Sequence, residues 1–447
     1  MSLQIWLPLN GNLNNQGLSD LEFSVSVAGV TAADNGKIGK SYSSNGSGTI
    51  VSNKRINLGK QHSMFCWVKL NSFNSSSNLT GLFGQHRYPI EAGMGLTCKY
   101  VSSTTGYLSV TWGNGVSREY VKQTGNTLLS AGKWYHIGYT YDGTTLIFYV
   151  NGKNDGEHTI KAEIIEDYFQ LFSWSFGDYT STQSVHSGYK LNGNLNDVRV
   201  YDHVLSPKEV HLISQGLFVH YPLRDPHMET TQDLCYDCSG FNNHANIIGS
   251  IAVKNDGARG DYSLFLEDGR YDFLKTNEIT IPTDEITLSC WFNAYEAGYG
   301  DGGGYHIPIN FGSGHCELSV NSEGKIRTGF YAPSRFVDNG ENVSIIDGKW
   351  HFLTTTFDGT TIKRYVDGTI TKSTAISSAP QPLANKTGNL FIGNYNGTKY
   401  GNKNAKMSDV RIYATALSAE DIMELYDTPI TITSNQKLIA NEFKEVE

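Results

Sequence analysis

Acidic residues that share a strand face are the first place to look for chemistry. Cleaving a glycosidic bond with retention needs two carboxyl groups about 5–5.5 Å apart. On a strand that means acids at i and i+2 or i+4, because alternate side chains face one way. Glu163 and Asp167 have the parity but not the surrounding pattern, and the run Glu-x-Asp-x-x-Glu is absent. Glu267, Asp268 and Asp272 gather around Gly269, which reads as a turn. No Gly-x-Ser-x-Gly elbow presents a nucleophile. The glycines of Gly300–Gly304 lack the Lys-Ser/Thr partner of a phosphate loop. Cys235-Tyr236-Asp237-Cys238 is a Cys-x-x-Cys pair with no second pair at zinc-site spacing, too few thiols for a closed structural site. The expectation is a protein that is not an enzyme.

The elements that would position any site come from a repeat. Gly132-Lys133-Trp134-Tyr135-His136 returns as Gly348-Lys349-Trp350-His351-Phe352, 216 residues later. Tyr141-Asp142-Gly143-Thr144-Thr145 returns at the same spacing as Phe357-Asp358-Gly359-Thr360-Thr361, and Tyr149-Val150-Asn151-Gly152 as Tyr365-Val366-Asp367-Gly368. Phe65-Cys66-Trp67 matches Ser289-Cys290-Trp291, Leu7-Pro8-Leu9 matches Tyr221-Pro222-Leu223, and Asp197–Tyr201 matches Asp409–Tyr413. The order is kept, so the copies differ by loop insertions. Two domains follow, 1–216 and 217–428, with a C-terminal tail, 429–447, as a docking segment or a solvated end.

Each copy reads as strands and turns. Tyr135, Ile137, Tyr139 and Tyr141 fall on one face by period-2 alternation, and Asp142-Gly143 supplies the turn. Histidine follows Trp134 by two residues in the first copy and Trp350 by one in the second, so it changes face; that is a structural pattern, not a catalytic one. Each copy closes with a short helix: Ser206 caps with Pro207 at the first position and Glu209 completing the box, Ser418 pairs with Asp421, and Gly216 stands where the first helix stops. The predicted fold class is all-β, two tandem jelly-roll β-sandwiches.

Composition narrows the partners. With 35 basic against 44 acidic residues and a net charge of −9, nothing favours a phosphate backbone, and nucleic acid is not expected. No apolar run approaches the roughly 18 residues of a membrane span. Met1 leads almost directly into a strand, Leu3–Leu9, without a basic start and cleavage site. Either a leader was removed or the chain folds in a cytoplasm. Six cysteines are too few for a disulfide scaffold. Buried free thiols are the expectation; pairing of Cys66 with Cys98 and Cys290 with Cys316 is the alternative.

In this order the motifs resemble the laminin-G-like jelly-roll modules of the concanavalin-A-like lectin/glucanase superfamily. Asp237-Cys238-Ser239-Gly240-Phe241-Asn242-Asn243-His244 is similar to that family's Asp-Ser-Ser-Gly-x-x-Asn-His stretch. Two departures stand out: the first copy has Asn10-Gly11-Asn12-Leu13-Asn14-Asn15 instead, and Arg364 stands where the first copy has Phe148, which questions burial there.

The resemblance implies carbohydrate binding or adhesion, and tandem modules of this kind look like tail or fibre proteins of tailed bacteriophages. On that reading the partners are a cell-surface glycan and other virion proteins, with homo-oligomers an option. The location is then a virion assembled in a host cytoplasm. The rivals are a secreted bacterial surface adhesin or carbohydrate-binding accessory protein, a structural virion spacer and a polysaccharide hydrolase. The resemblance also implies Ca²⁺ as cofactor, with Asp197, Asp268 and Asp409 as candidate ligands; the alternative is that these cap turns or pair with Arg199 and Arg411. A sugar site would set aromatic platforms beside amides on one exposed face. The candidates are Tyr107, Trp112, Asn114, Trp174 and Tyr179 in the first copy. In the second they are Tyr299, Tyr305, His306, Tyr331, Arg335, Tyr395 and Asn396.

Overall fold

The computed structural model describes residues 2–75, 78–87, 92–114, 120–173, 189–223, 228–229, 234–258, 262–267, 272–282, 284–298, 304–312, 316–331, 335–339, 343–383, 387–397 and 401–428. The chain forms two compact units that divide between Ser214 and Gln215. The tail 429–447 lies outside the described residues.

In the first unit two antiparallel sheets carry the described strands. One runs, in spatial order, Lys153–Thr159, Thr145–Val150, Trp134–Tyr141, His62–Ser72, Asn192–Tyr201, Ser41–Asn45 and Val30–Ala33, with Leu3–Leu7 also beside Asn192–Tyr201. The other runs Tyr120–Ser130, Thr105–Gly113, Ala92–Ser102, Leu79–Arg87, Glu166–Leu171, Thr49–Asn57 and Phe23–Val27. Side chains alternate along each strand, so each sheet turns one face to the other and the apolar sets meet between them. Ile137, Tyr139 and Tyr141 from the first sheet join Leu96, Leu108, Val110 and Phe169 from the second in one buried cluster.

The second unit repeats the plan. Its first sheet runs Ala252–Lys254, Ser263–Leu266, Ala405–Tyr413, Ile286–Asn293, His351–Phe357, Thr361–Val366 and Thr369–Ala375, with Leu217–Tyr221 beside Ala405–Tyr413. Its second runs Met228–Glu229, Leu234–Cys235, Ala245–Ile248, Phe273–Thr276, Leu390–Ile392, His306–Phe311, Cys316–Val320, Ile326–Tyr331 and Arg335–Asn339.

The repeated motifs are turn devices. Asp142 Oδ1 accepts from the amides of Thr144 (2.8 Å) and Thr145 (2.6 Å), and Asp358 Oδ1 from those of Thr360 (2.9 Å) and Thr361 (2.7 Å). Asn151 and Asp367 hold left-handed backbone, φ 49° and 51°, and their side chains take the amides of His136 and Phe352. The helices are α1, Pro207–Ser214, and α2, Ala419–Asp427. Both capping boxes form: Ser206 with Glu209, and Ser418 with Asp421. Gly216 takes φ 66° two residues beyond α1. No described helix is long and apolar enough to cross a membrane.

All six cysteines are buried and none is in a disulfide, so the two cross-sheet pairings are not made. Arg364 is buried at 1% exposure despite its charge, with Nη2 3.4 Å from Thr374 Oγ1. The histidines differ as their spacing predicts. His136 pairs across the strands with Trp67, whereas in the second unit Phe352 pairs with Trp291 and His351 sits one place along.

Candidate functional site

In the first unit, the second sheet has an outward face built from the residues that alternate with the core. Leu171, Phe83, Leu96 and Val110 point inward. Their neighbours form a cross-strand row: Val51, Gln170, Gly84, Gly95 and Thr111, each paired with the next. The two glycines stand side by side in the middle of this buried row, where the strand backbones approach closely. Gly84 has φ 148°, and a Cβ there would lie 2.6 Å from the Cα of Gly95.

Polar groups flank the two glycines on both sides. Thr97 Oγ1 lies 2.5 Å from Ser109 Oγ and 3.3 Å from Thr111 Oγ1. On the opposite side stands Gln170, wholly buried, with neither Oε1 nor Nε2 partnered among the described residues. A buried polar group without a partner costs about 1–3 kcal/mol, so an orphaned carboxamide asks for an explanation.

The second unit places different chemistry on the corresponding sheet. Ile309, Phe311, Leu318 and Leu390 are buried on the inward side. The outward row reads Lys275, Phe391, Asn310, Glu317 and Gly329. Asn310 is again wholly buried with both amide atoms unpartnered among the described residues. Glu317 Oε1 accepts from Ser319 Oγ (2.6 Å) and from Arg327 Nη1, and the Arg327 guanidinium lies 5.0 Å above the Tyr305 ring.

Of the residues chosen from sequence, Tyr107 reaches the first face, since it shares the parity of Ser109 and Thr111, and it is partly buried. Trp112 does not: it has the parity of Leu108 and Val110 and is buried with them at 4% exposure, a core residue instead of a platform. Asn114 is exposed just past that strand. Trp174, Tyr179 and Tyr299 lie outside the described residues. Tyr305 reaches the second face under Arg327, whereas His306 is buried with Nε2 2.7 Å from the Glu296 carbonyl oxygen. The backbones of Tyr331 and Arg335 pair across the last hairpin of the sheet. Tyr395, partly buried, and Asn396, exposed, follow Leu390–Ile392 in a turn.

Sequence reasoning missed Gln170, Asn310, Glu317 and Arg327. The signal was in the alternation. Leu108-Ser109-Val110-Thr111-Trp112 and Cys316-Glu317-Leu318-Ser319-Val320 each assign one parity to the core.

The proposed calcium ligands meet other partners. Asp197 Oδ1 accepts from Trp6 Nε1 (2.7 Å) and Arg199 Nε (2.9 Å); Asp409 Oδ1 faces His220 Nε2 (2.8 Å) and accepts from Arg411 Nε (2.8 Å). Calcium wants six to eight oxygens, whereas these buried carboxylates are met by ring nitrogens and a guanidinium. Both Oδ1 atoms are thus taken, while Asp197 Oδ2 has no partner among the described residues. Asp268 lies outside the described residues, among which no group of three or more His, Cys, Asp or Glu could hold a metal.

A family model described as "Concanavalin A-like lectin/glucanases superfamily" matches residues 43–211 and 268–423, well over half of the chain. No curated protein matches the chain. Several solved structures are similar. Domain 4 of the extracellular arabinanase AbnA from Geobacillus stearothermophilus, in complex with arabinotriose, is 19% identical with a TM-score of 0.35, covering 48% of this chain and 98% of its own. Domains LG4-5 of the mouse laminin alpha1 chain are 12% identical with a TM-score of 0.27, covering 82% and 89%. The binding domain of Paraclostridial Mosquitocidal Protein 1 is 12% identical with a TM-score of 0.37, covering 89% and 98%.

Proposed function

The chain belongs to the concanavalin A-like lectin/glucanase superfamily, and from that premise we propose that it is a non-catalytic carbohydrate-binding protein. The observation that carries the reading is Gln170. Its buried carboxamide offers one acceptor and two donors beside Gly84, with the hydroxyls of Thr97, Ser109 and Thr111 on the far side of the glycine pair. Adjacent hydroxyls of a sugar complement such an amide, one accepting and one donating.

The non-catalytic part rests on the second face. Glycoside hydrolysis by either stereochemical route needs two carboxyl groups flanking one bond. The cross-strand neighbours of Glu317 are Asn310 and Gly329, neither of them an acid, and its Oε1 is engaged by Arg327 and Ser319. In our reading the chain works in several copies, a phage tail or fibre being the setting its sequence suggests. Avidity would there raise weak sugar binding by about 10²–10⁴-fold.

The test is a glycan array probed with fluorescent full-length protein, beside the Gln170→Leu variant. Binding to one glycan class that weakens at least tenfold in the variant supports the reading. A folded, multimerised sample that binds no glycan overturns it.

A further inference from the structure

We infer that the second module carries a binding site of its own, on the outward face around Asn310, for a neutral sugar residue that presents two adjacent hydroxyls. The inference rests on the carbohydrate-binding reading and extends it to a second, differently built face.

Asn310 is the observation that points to a ligand. It is wholly buried, and neither Oδ1 nor Nδ2 has a partner among the described residues. Parity turns it outward, since Ile309 and Phe311 on either side are core residues. Its cross-strand neighbours are Phe391 and Glu317. Amide, carboxylate and aromatic ring therefore stand in one row. The Phe391 ring is itself covered, packed against Phe273 at 5.9 Å with Lys275 Nζ 5.7 Å from it, so the amide and carboxylate are what the row offers to sugar hydroxyls.

The charges on this face select the ligand. Glu317 is bound by Arg327 and Ser319, and Arg327 is packed over Tyr305 at 5.0 Å. Directly opposed residues on neighbouring strands have Cβ atoms about 4.5–5.5 Å apart. Lys275 stands two strands from Asn310, whereas Glu317 is its direct neighbour, so a sugar carboxylate brought to the Asn310 amide would meet Glu317 first, and like charges there are repelled. A neutral diol meets no such penalty. The first face has no ionised side chain among Gln170, Thr97, Ser109 and Thr111, so the two modules offer different surroundings to their ligands.

The experiment uses the full chain on an array of neutral and uronate-bearing oligosaccharides. It compares wild type, Gln170→Leu, Asn310→Leu and the double variant, with thermal melts to confirm folding. Replacing an unpartnered amide by an apolar group of similar size removes a desolvation cost, so both single variants should fold. The expected result is that Asn310→Leu loses at least tenfold in affinity for a set of neutral glycans that Gln170→Leu still binds. The double variant should lose both sets. If Asn310→Leu leaves every signal unchanged while Gln170→Leu loses its own, the Asn310 amide is satisfied by buried water and the inference is overturned, with the first site intact. Loss confined to uronate-bearing glycans overturns the neutral class. Absence of binding by wild type overturns the carbohydrate reading, and this inference with it.

Discussion

His220 in the second module does what Trp6 does in the first: each ring nitrogen meets the aspartate of the matching Asp-Val-Arg motif. Trp6 Nε1 lies 2.7 Å from Asp197 Oδ1 and His220 Nε2 2.8 Å from Asp409 Oδ1. Both aspartates hold left-handed backbone, φ 52° and 49°, and each also takes the Nε–H of the arginine two residues on. Burial opposes a charge at Asp409, but Arg411 and His220 hold its carboxyl well below the usual range. A carboxylate only accepts, so His220 donates from Nε2.

Removing either carboxylate strands a buried guanidinium. Asp197→Asn or Asp409→Asn should therefore destabilise its own module by about 3–5 kcal/mol. Urea denaturation measures this. A loss below about 1 kcal/mol in both would mean that the pair does not hold the motif.

The histidines give the protein opposite responses to pH. Burial pushes His136 down to about 3 and His62 down to about 4, so both stay neutral in the fold, while the unfolded side chain titrates near 6.5. Below that pH the unfolded chain binds more protons, so their contribution is full above about 6.5 and is lost as the pH falls toward 4. His351 goes the other way. Asp367, then Asp347, raise it, so its contribution is full below 6.5 and is lost as the pH rises through the raised value. His136→Phe copies the residue at the matching place, Phe352, and should flatten the fall in melting temperature between pH 7 and pH 4.5. An unchanged acid profile would remove His136 as its source.

The close approach of the two strands on the first face depends on Gly84. Ala there would bring Cβ to 2.6 Å from both the Gly95 Cα and the Met94 carbonyl oxygen. Backbone on both sides has little room to yield, so Gly84→Ala should cost about 1–3 kcal/mol. It should also weaken binding by the first module. A melting temperature equal to wild type would show that the strands part easily.

None of the six thiols is in a disulfide, and all six are buried. Burial raises all those whose titration is shifted, Cys98 up to about 12. Thiolate is the reactive form. Native protein should therefore react negligibly with Ellman's reagent over minutes, and all six should react in denaturant. Fast reaction of the native chain would show that the strands open.

Sequence alone determined the two-module plan, the turns and the helix caps, because these are local. Asp142-Gly143, Asn151-Gly152 and Ser206-Pro207 act within a few residues, and the repeat shows each device twice. Alternation even assigned Trp112 to the core, had its parity with Leu108 and Val110 been weighed above its aromatic type. What only the tertiary structure decided is which residues share a face across strands. Val51, Gln170, Gly84, Gly95 and Thr111 come from five separate stretches of chain and meet through strand register. Asn310 and Glu317 belong to adjacent strands, yet nothing local shows that the Asn310 amide is left without a partner. Whether a buried polar group is satisfied depends on every strand packed around it, and that is a property of the assembled sheet.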